Sequence, residues 1–165
     1  MTRLIATFAY VGLLRPAPGT WGSAAALPIA YLLHIFGGLP ALMIATVLVF
    51  AVGWWATAAQ TRGKDNHDPS EIVIDEVVGQ WIALWPISAS VWSFAGALPA
   101  QYPGWLLGFA FFRLFDITKP GPVGWADKRA DAFGVMFDDV IAGALAALSV
   151  IVAALVWQYG GQLLG

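Results

Sequence analysis

The sequence contains no cysteine and few charged residues. Lys, Arg, Asp and Glu make up only 11% of its 165 residues, and the formal net charge is -2. Without cysteine the chain has no disulfides, no thiolate metal sites and no cysteine–phosphate enzyme intermediate. It also lacks a basic patch that could neutralise the phosphates of a duplex, so we expect no nucleic-acid partner.

Most of the chain consists of apolar residues. They account for 59% of the chain, and the mean hydropathy is +0.74. Ordinary globular domains carry about 25% charged residues, and a soluble domain of this length could not bury so much apolar surface. We therefore predict an integral membrane protein. We see no internal repeat and no boundary that would divide it, so residues 1–165 are predicted to form a single domain.

Five apolar segments separated by turns or polar loops predict an all-α, polytopic helical bundle. The predicted main helices are residues 21–36, 41–61, 71–92, 104–117 and 133–157. The apolar segment 4–14 is too short to span a bilayer and is predicted to lie in the interface or to insert partly. The longest polar segment, residues 118–132, is predicted to connect the last two helices.

The basic residues predict the orientation of this bundle. With five spans, all eight Lys and Arg side chains fall on one side. The opposite connections, residues 37–40 and 93–103, and the C-terminal tail carry none. Positive residues accumulate on the cytoplasmic side of membrane proteins, so we predict that this side faces the cytoplasm.

Ionisable residues occur at the same ends of three predicted helices. They are Asp75 and Glu76 at the start of the third helix, Asp138 and Asp139 at the start of the fifth, and Arg113 and Asp116 at the end of the fourth. At about 1.5 Å per residue, all lie within roughly 10 Å of the predicted cytoplasmic interface. Because ionisable side chains are costly inside a membrane, they usually mark function. The pattern predicts a polar cavity that opens to the inner leaflet.

This set of residues favours phosphate chemistry. Carboxylates without cysteine favour a hard cation such as Mg²⁺, which is held by carboxylates together with substrate phosphate oxygens. The predicted helix start near Thr20 and Ser23 offers free N–H groups to an anion. Positive charge on the same side comes from Arg15, Arg113, Lys119 and Lys128. Metal-assisted hydrolysis of a phosphate ester is the reaction that these residues indicate.

Other interpretations are open for the same residues. Asp75 and Glu76 could be a structural pair that is neutralised by protonation or by Arg113, and Arg113 and Asp116 could simply bridge each other at i,i+3. An ion-coupled transporter would use the acids to carry protons or cations, but transporter sites tend to lie near the midplane between repeats. A non-catalytic membrane subunit would use them for assembly.

Four motifs, in order and over nearly the whole chain, resemble the phosphatidylglycerophosphatase A family. They are PGTWGS at residues 18–23, IVIDEVVG at 72–79, FRLFDITKP at 112–120 and GVMFDDVIAG at 134–143. The resemblance implies a Mg²⁺-dependent, multi-pass phosphatase of the bacterial inner membrane. Such an enzyme would convert phosphatidylglycerophosphate to phosphatidylglycerol and inorganic phosphate, with its active site toward the cytoplasm.

The resemblance also implies roles for individual residues. Its acidic motifs match Asp75, Glu76, Asp138 and Asp139, which we expect to be catalytic and to coordinate Mg²⁺. The residues expected to bind the substrate are Thr20, Ser23, Arg113, Asp116, Lys119 and Lys128. The loop before the fifth helix departs from the family pattern, and Lys128 or Arg129 would supply the positive charge that is missing there.

Overall fold

The protein is all-helical in the parts of the chain that its computed structural model describes, which are residues 1–64, 66, 68–94 and 102–163. The elements are α1 (Thr2–Ala6), a 3₁₀ turn (Val11–Leu13), α2 (Pro18–Thr61), α3 (Ile74–Phe94), α4 (Tyr102–Thr118), α5 (Pro122–Asp127) and α6 (Ala132–Leu163). No strand occurs among these residues, so the all-α class is confirmed. Most of the predicted connection 93–103 lies outside the described residues.

The long helix α2 is interrupted where the sequence predicts a turn. Gly38 has φ 61° and ψ -156°, a backbone conformation that glycine adopts without steric cost and other residues avoid. The helical pattern therefore stops and restarts at this residue. The two halves of α2 correspond to the predicted helices 21–36 and 41–61.

Contacts with α3 and with Val73, the residue just before it, show that these two halves run in opposite directions. Taken in order along α2, the contacts are Gly22 with Val73, His34 with Ser88, Thr46 with Trp85, and Gly53 with Ile74. As one moves along α2, the number of the contacted residue rises from 73 to 88 and then falls back to 74. The chain thus reverses at Gly38, and both halves pack on the same central helix.

Helix α3 is the centre of the bundle, and glycines bring its neighbours close to it. Helix α4 runs antiparallel to α3, because Gly79 lies against Phe112 while Leu84 lies against Gly108. Helix α6 runs parallel to α3, and a Cβ on Gly143 would overlap the carbonyl oxygen of Gly79. Small residues permit such close helix–helix packing. The first turns of α3 and α6 consequently lie side by side, next to the last turn of α4.

Two elements differ from the predicted helix map. Helix α3 begins at Ile74 and not at residue 71, because Val73 N–H donates instead to the carbonyl of Ala6 (2.9 Å) and so pairs with the N-terminal segment. Helix α5 lies within the segment predicted to be a polar connection. Segment 4–14 is not one helix but the end of α1, a bend and the 3₁₀ turn.

Among the described residues, two helical segments are long and apolar enough to cross a membrane: Pro18–Thr61, which is interrupted at Gly38, and Ala132–Tyr159. Their outer faces carry large exposed apolar side chains, among them Ile44, Val47 and Val152. Contiguous exposed apolar surface of this kind is unusual in soluble monomers. These features agree with membrane association, while the predicted number of five spans remains a prediction.

Candidate active site

A cavity of about 320 Å³ opens at the end of the bundle where α3 and α6 begin and α4 ends. Its ionisable lining includes Asp75, Glu76, Arg113, Asp116, Lys119 and Asp139. The helix packing explains why these side chains meet. Two parallel helices present their first turns, and the antiparallel α4 presents its last turn, at one level. The structure thus brings the predicted side chains together in one cavity, while its opening to the inner leaflet stays a prediction.

Three carboxylates form the centre of this cavity. They belong to Asp75, Glu76 and Asp139. Each residue has one carboxylate oxygen that lies within 4.8 Å of a carboxylate oxygen of the other two. Asp75 and Asp139 are only 7% and 2% exposed. Glu76 Oε2 and Asp139 Oδ1 are buried without a hydrogen-bond partner among the described residues. Buried, unpartnered carboxylate oxygens at this spacing are a donor set that suits a hard divalent cation such as Mg²⁺.

Asp138, the fourth predicted metal ligand, does not belong to this group. Its Oδ2 accepts a hydrogen bond from Lys119 Nζ at 2.7 Å, and Asp127 pairs with the same lysine. Adjacent residues on a helix point about 100° apart, so Asp138 and Asp139 face different neighbours. The structure therefore gathers three of the four predicted ligands and places Asp138 in an ion pair.

Lys119 brings a fixed positive charge to the cavity. Burial by itself lowers the pKa of this lysine, but its hydrogen bonds with Asp127 and Asp138 outweigh that effect and raise the pKa above its ordinary value. Lys119 is consequently a cation at physiological pH. The two aspartates come from α5 and α6, so they also fix the position of the lysine relative to the three carboxylates.

Arg113 links three helices at the edge of the cavity. It forms an ion pair with Asp116, and its Nη1 lies 4.0 Å from Glu76 Oε1. The same nitrogen donates to Ser23 Oγ (3.4 Å), which in turn donates to the carbonyl of Gly19 (2.9 Å). Arg113 and Asp116 do bridge each other, as the alternative interpretation held, but the arginine also reaches α2 and α3.

Three of the predicted substrate-binding residues do not line the cavity, and one of them, Ser23, is fully buried and accepts a hydrogen bond from Arg113. Thr20 is half-buried in the first turn of α2, and Lys128 is exposed at the end of α5. Arg129 pairs with Asp131 at 2.9 Å and lies over the ring of Phe133. Lys128 and Arg129 therefore supply no positive charge to the cavity in the observed arrangement.

Two polar residues that line the cavity were missing from the sequence prediction. Asp68 and Ser70 come from the loop before α3, which was treated only as a polar connection. Gly19, which belongs to the predicted anion-binding helix start, is the second residue of α2, and a Cβ at that position would overlap Glu76 Oε1. The loop residues could have been found, since a loop that ends just before Asp75 must lie close to that carboxylate. The role of Gly19 depends on a tertiary contact that sequence spacing does not encode.

Residues 4–154 match the family described as Phosphatidylglycerophosphatase A. The chain belongs to this family. A Phosphatidylglycerophosphatase A from Haemophilus influenzae is 38% identical over 149 residues, which cover 89% of this chain and 84% of that protein. A protein of the same name from Escherichia coli is 33% identical over 139 residues, or 82% of this chain and 73% of its own.

A third relative of this family member carries a different name. A protein from Bacteroides thetaiotaomicron, provisionally named a phosphatidylinositol-3-phosphatase, is 35% identical over 141 residues and 83% of each chain. No solved structure gives a significant match. The resemblance drawn from the four motifs is confirmed, and none of these relatives is named as a transporter.

Proposed function

We propose that this protein is a Mg²⁺-dependent lipid phosphatase that hydrolyses phosphatidylglycerophosphate to phosphatidylglycerol and inorganic phosphate. The observation that carries the proposal is the cluster of Asp75, Glu76 and Asp139 beside Lys119 in one cavity. Membership of the family, and the names of the relatives from Haemophilus influenzae and Escherichia coli, support the choice of substrate.

The three central carboxylates would hold the metal ion. Asp75 and Asp139 are buried and the Glu76 side chain is 14% exposed, so the three negative charges repel one another with little screening by water. Two of their oxygens lack partners among the described residues. These carboxylates would offset that repulsion by holding a divalent cation between them. When bound, Mg²⁺ would supply Lewis-acid polarisation of the phosphoryl group.

The remaining polar groups would bind and orient the phosphate. Lys119 Nζ places a positive charge in the cavity and is fixed there by Asp127 and Asp138. The first N–H groups of α2, at Gly19 and Thr20, have no intrahelical acceptor and can donate to phosphate oxygens. Held between these donors and the carboxylates, the phosphate would react in a fixed orientation, which lowers the entropic part of the barrier.

The surroundings of the cavity suit a substrate that stays in the bilayer. Ile117 lines the cavity and is 67% exposed, and Leu114 is exposed one turn earlier on α4. These apolar side chains would contact the acyl chains while the headgroup enters the polar cavity. We place the protein in the bacterial inner membrane with five spans, and we place the cavity at the cytoplasmic side because the basic residues cluster at that end.

Inorganic phosphate release by the purified protein in detergent micelles tests the proposed reaction. We expect Mg²⁺-dependent release from phosphatidylglycerophosphate that is lost with a chelator, and little release from phosphatidic acid or phosphatidylinositol 3-phosphate. The third lipid is included because of the name of the Bacteroides relative. If folded protein released no phosphate from any of the three lipids, the proposed activity would be wrong.

The orientation can be tested by cysteine labelling, because the chain has no cysteine of its own. Lys64 is exposed in the loop before α3, and Phe36 is 84% exposed beside the turn at Gly38. In intact cells, we expect a membrane-impermeant maleimide that has crossed the outer membrane to label Phe36→Cys and spare Lys64→Cys. Labelling of Lys64→Cys alone would reverse the proposed orientation.

A further inference from the structure

Gln80 is a buried polar residue that the proposed mechanism does not yet use. Its side chain is fully buried in α3, and neither Nε2 nor Oε1 has a hydrogen-bond partner in the part of the chain that the structure describes. Burying a carboxamide without partners loses its hydrogen bonds to water and gains none in return. A leucine or methionine would fill the same space without that cost, so the presence of glutamine requires a reason.

The position of Gln80 on α3 points to the active site. Glu76, Gln80 and Leu84 are spaced by four residues and so share one face of the helix. Both outer members of this series meet α4, since Glu76 lies 4.0 Å from Arg113 and Leu84 lies against Gly108. Gln80 therefore lies between α3 and α4, one helical turn deeper than the Glu76–Arg113 pair.

The unpartnered atoms around this position are complementary. Glu76 Oε2 is a buried acceptor without a donor among the described residues, and Arg113 Nε is a buried donor without an acceptor there. A carboxamide offers both an N–H donor and a carbonyl acceptor. Glutamine at the i+4 position is long enough to reach the side chain one turn before it. One residue can thus satisfy both groups.

We propose that Gln80 is a positioning residue that orients the Glu76 carboxylate for metal binding. With the metal bound, a rotated Gln80 side chain would donate from Nε2 to Glu76 Oε2 and accept at Oε1 from Arg113 Nε, two hydrogen bonds that the described arrangement does not contain. These bonds would hold the Glu76 carboxylate beside Asp75 and Asp139. This inference depends on the proposed Mg²⁺ site. Groups that orient a metal ligand in this way typically contribute about 10- to 100-fold to metal affinity.

The test compares Gln80→Met with the unmodified protein in two measurements. One is the Mg²⁺ concentration that gives half-maximal phosphate release. The other, made without substrate, is the Mg²⁺ concentration that gives half of the metal-dependent rise in Tm. We expect Gln80→Met to raise both concentrations about tenfold or more. Its Tm without metal should stay equal or rise, because the variant buries no unpartnered amide.

Ser88→Ala provides the matched control, because it also changes a buried polar residue of α3. Ser88 Oγ lies 2.6 Å from His34 Nδ1, away from the cavity. We expect this variant to lower the Tm without metal and to leave both Mg²⁺ concentrations unchanged. The comparison separates a general loss of stability from a specific loss of metal affinity.

Wild-type Mg²⁺ dependence in Gln80→Met would overturn the inference and leave the proposed function intact. If that variant does not fold, Gln80→Asn replaces it, since the shorter amide cannot reach Glu76 and Arg113 together. The same rise in both concentrations is then expected, and unchanged values would overturn the inference. An unmodified protein that shows no response to Mg²⁺ would instead overturn the proposed function and, with it, the role of Gln80.

Discussion

Asp139→Asn is expected to abolish Mg²⁺-dependent phosphate release while leaving the protein folded. Loss of a partner that only orients a metal ligand costs about 10- to 100-fold, so loss of a ligand should reduce activity by at least about a hundredfold. Asp139 is almost fully buried, and its negative neighbours include Asp75, Asp116 and Asp138. Asparagine keeps the size of the side chain and removes its charge.

This variant should affect stability and activity in opposite directions. Without metal, removal of one of several clustered negative charges relieves repulsion, so the Tm should equal or exceed that of the unmodified protein. With Mg²⁺, the rise in Tm seen for the unmodified protein should disappear. Thermal unfolding in detergent, with Mg²⁺ or with chelator, measures both effects.

Asp131→Asn is the control for this experiment. The chemical change is the same, but Asp131 lies outside the cavity and pairs with Arg129. Its Oδ1 accepts from the N–H of Gly134 (2.7 Å) near the start of α6, and asparagine can accept the same bond. We expect near-normal activity. Normal phosphate release in Asp139→Asn as well would show that Asp139 is not a required metal ligand.

The sequence was sufficient to predict that the side chains of the site lie at one end of the bundle but not the direction in which each of them points. Helix lengths and turn residues placed Asp75, Asp139 and Arg113 at the same end of the bundle, because chain length along a helix translates directly into distance. The spacing of residues along the sequence could not show which of Asp138 and Asp139 joins Asp75 and Glu76. Only one of two adjacent residues on α6 can face Asp75 and Glu76, and which one does so depends on the rotation of α6 about its own axis. The close contact between Gly79 and Gly143 fixes that rotation relative to α3.

Short elements and backbone contacts were also beyond the sequence prediction. Helix α5 has six residues, which is less than two turns and too short to show a helical pattern of apolar residues. It matters because it carries Asp127 to Lys119. Residues 71–73 were assigned to a helix because they are continuous with an apolar run. Their pairing with the N-terminal segment is a tertiary contact, and such contacts override local propensity.

Gly19→Ala is expected to reduce phosphate release about a hundredfold with little loss of stability. A Cβ at this position would overlap Glu76 Oε1 and lie 3.1 Å from Arg113 Nη1. The overlapped atom is the end of a flexible side chain, so Glu76 can move and the fold is retained. Alanine is also the better helix former. A displacement of about 1 Å in a catalytic site can cost about a hundredfold in rate.

Gly104→Ala shows whether such a loss is specific to the cavity. Gly104 lies near the start of α4, at the opposite end of that helix from Arg113, and a Cβ there would lie 3.4 Å from Ile87 Cγ1, an ordinary contact. We expect normal activity and normal Mg²⁺ dependence in this control. If Gly19→Ala also kept full activity, Glu76 could not be required in its observed position. Asp75 and Asp139 would then be the metal ligands that remain, and the tight packing of α2 against Glu76 would serve the fold rather than the reaction.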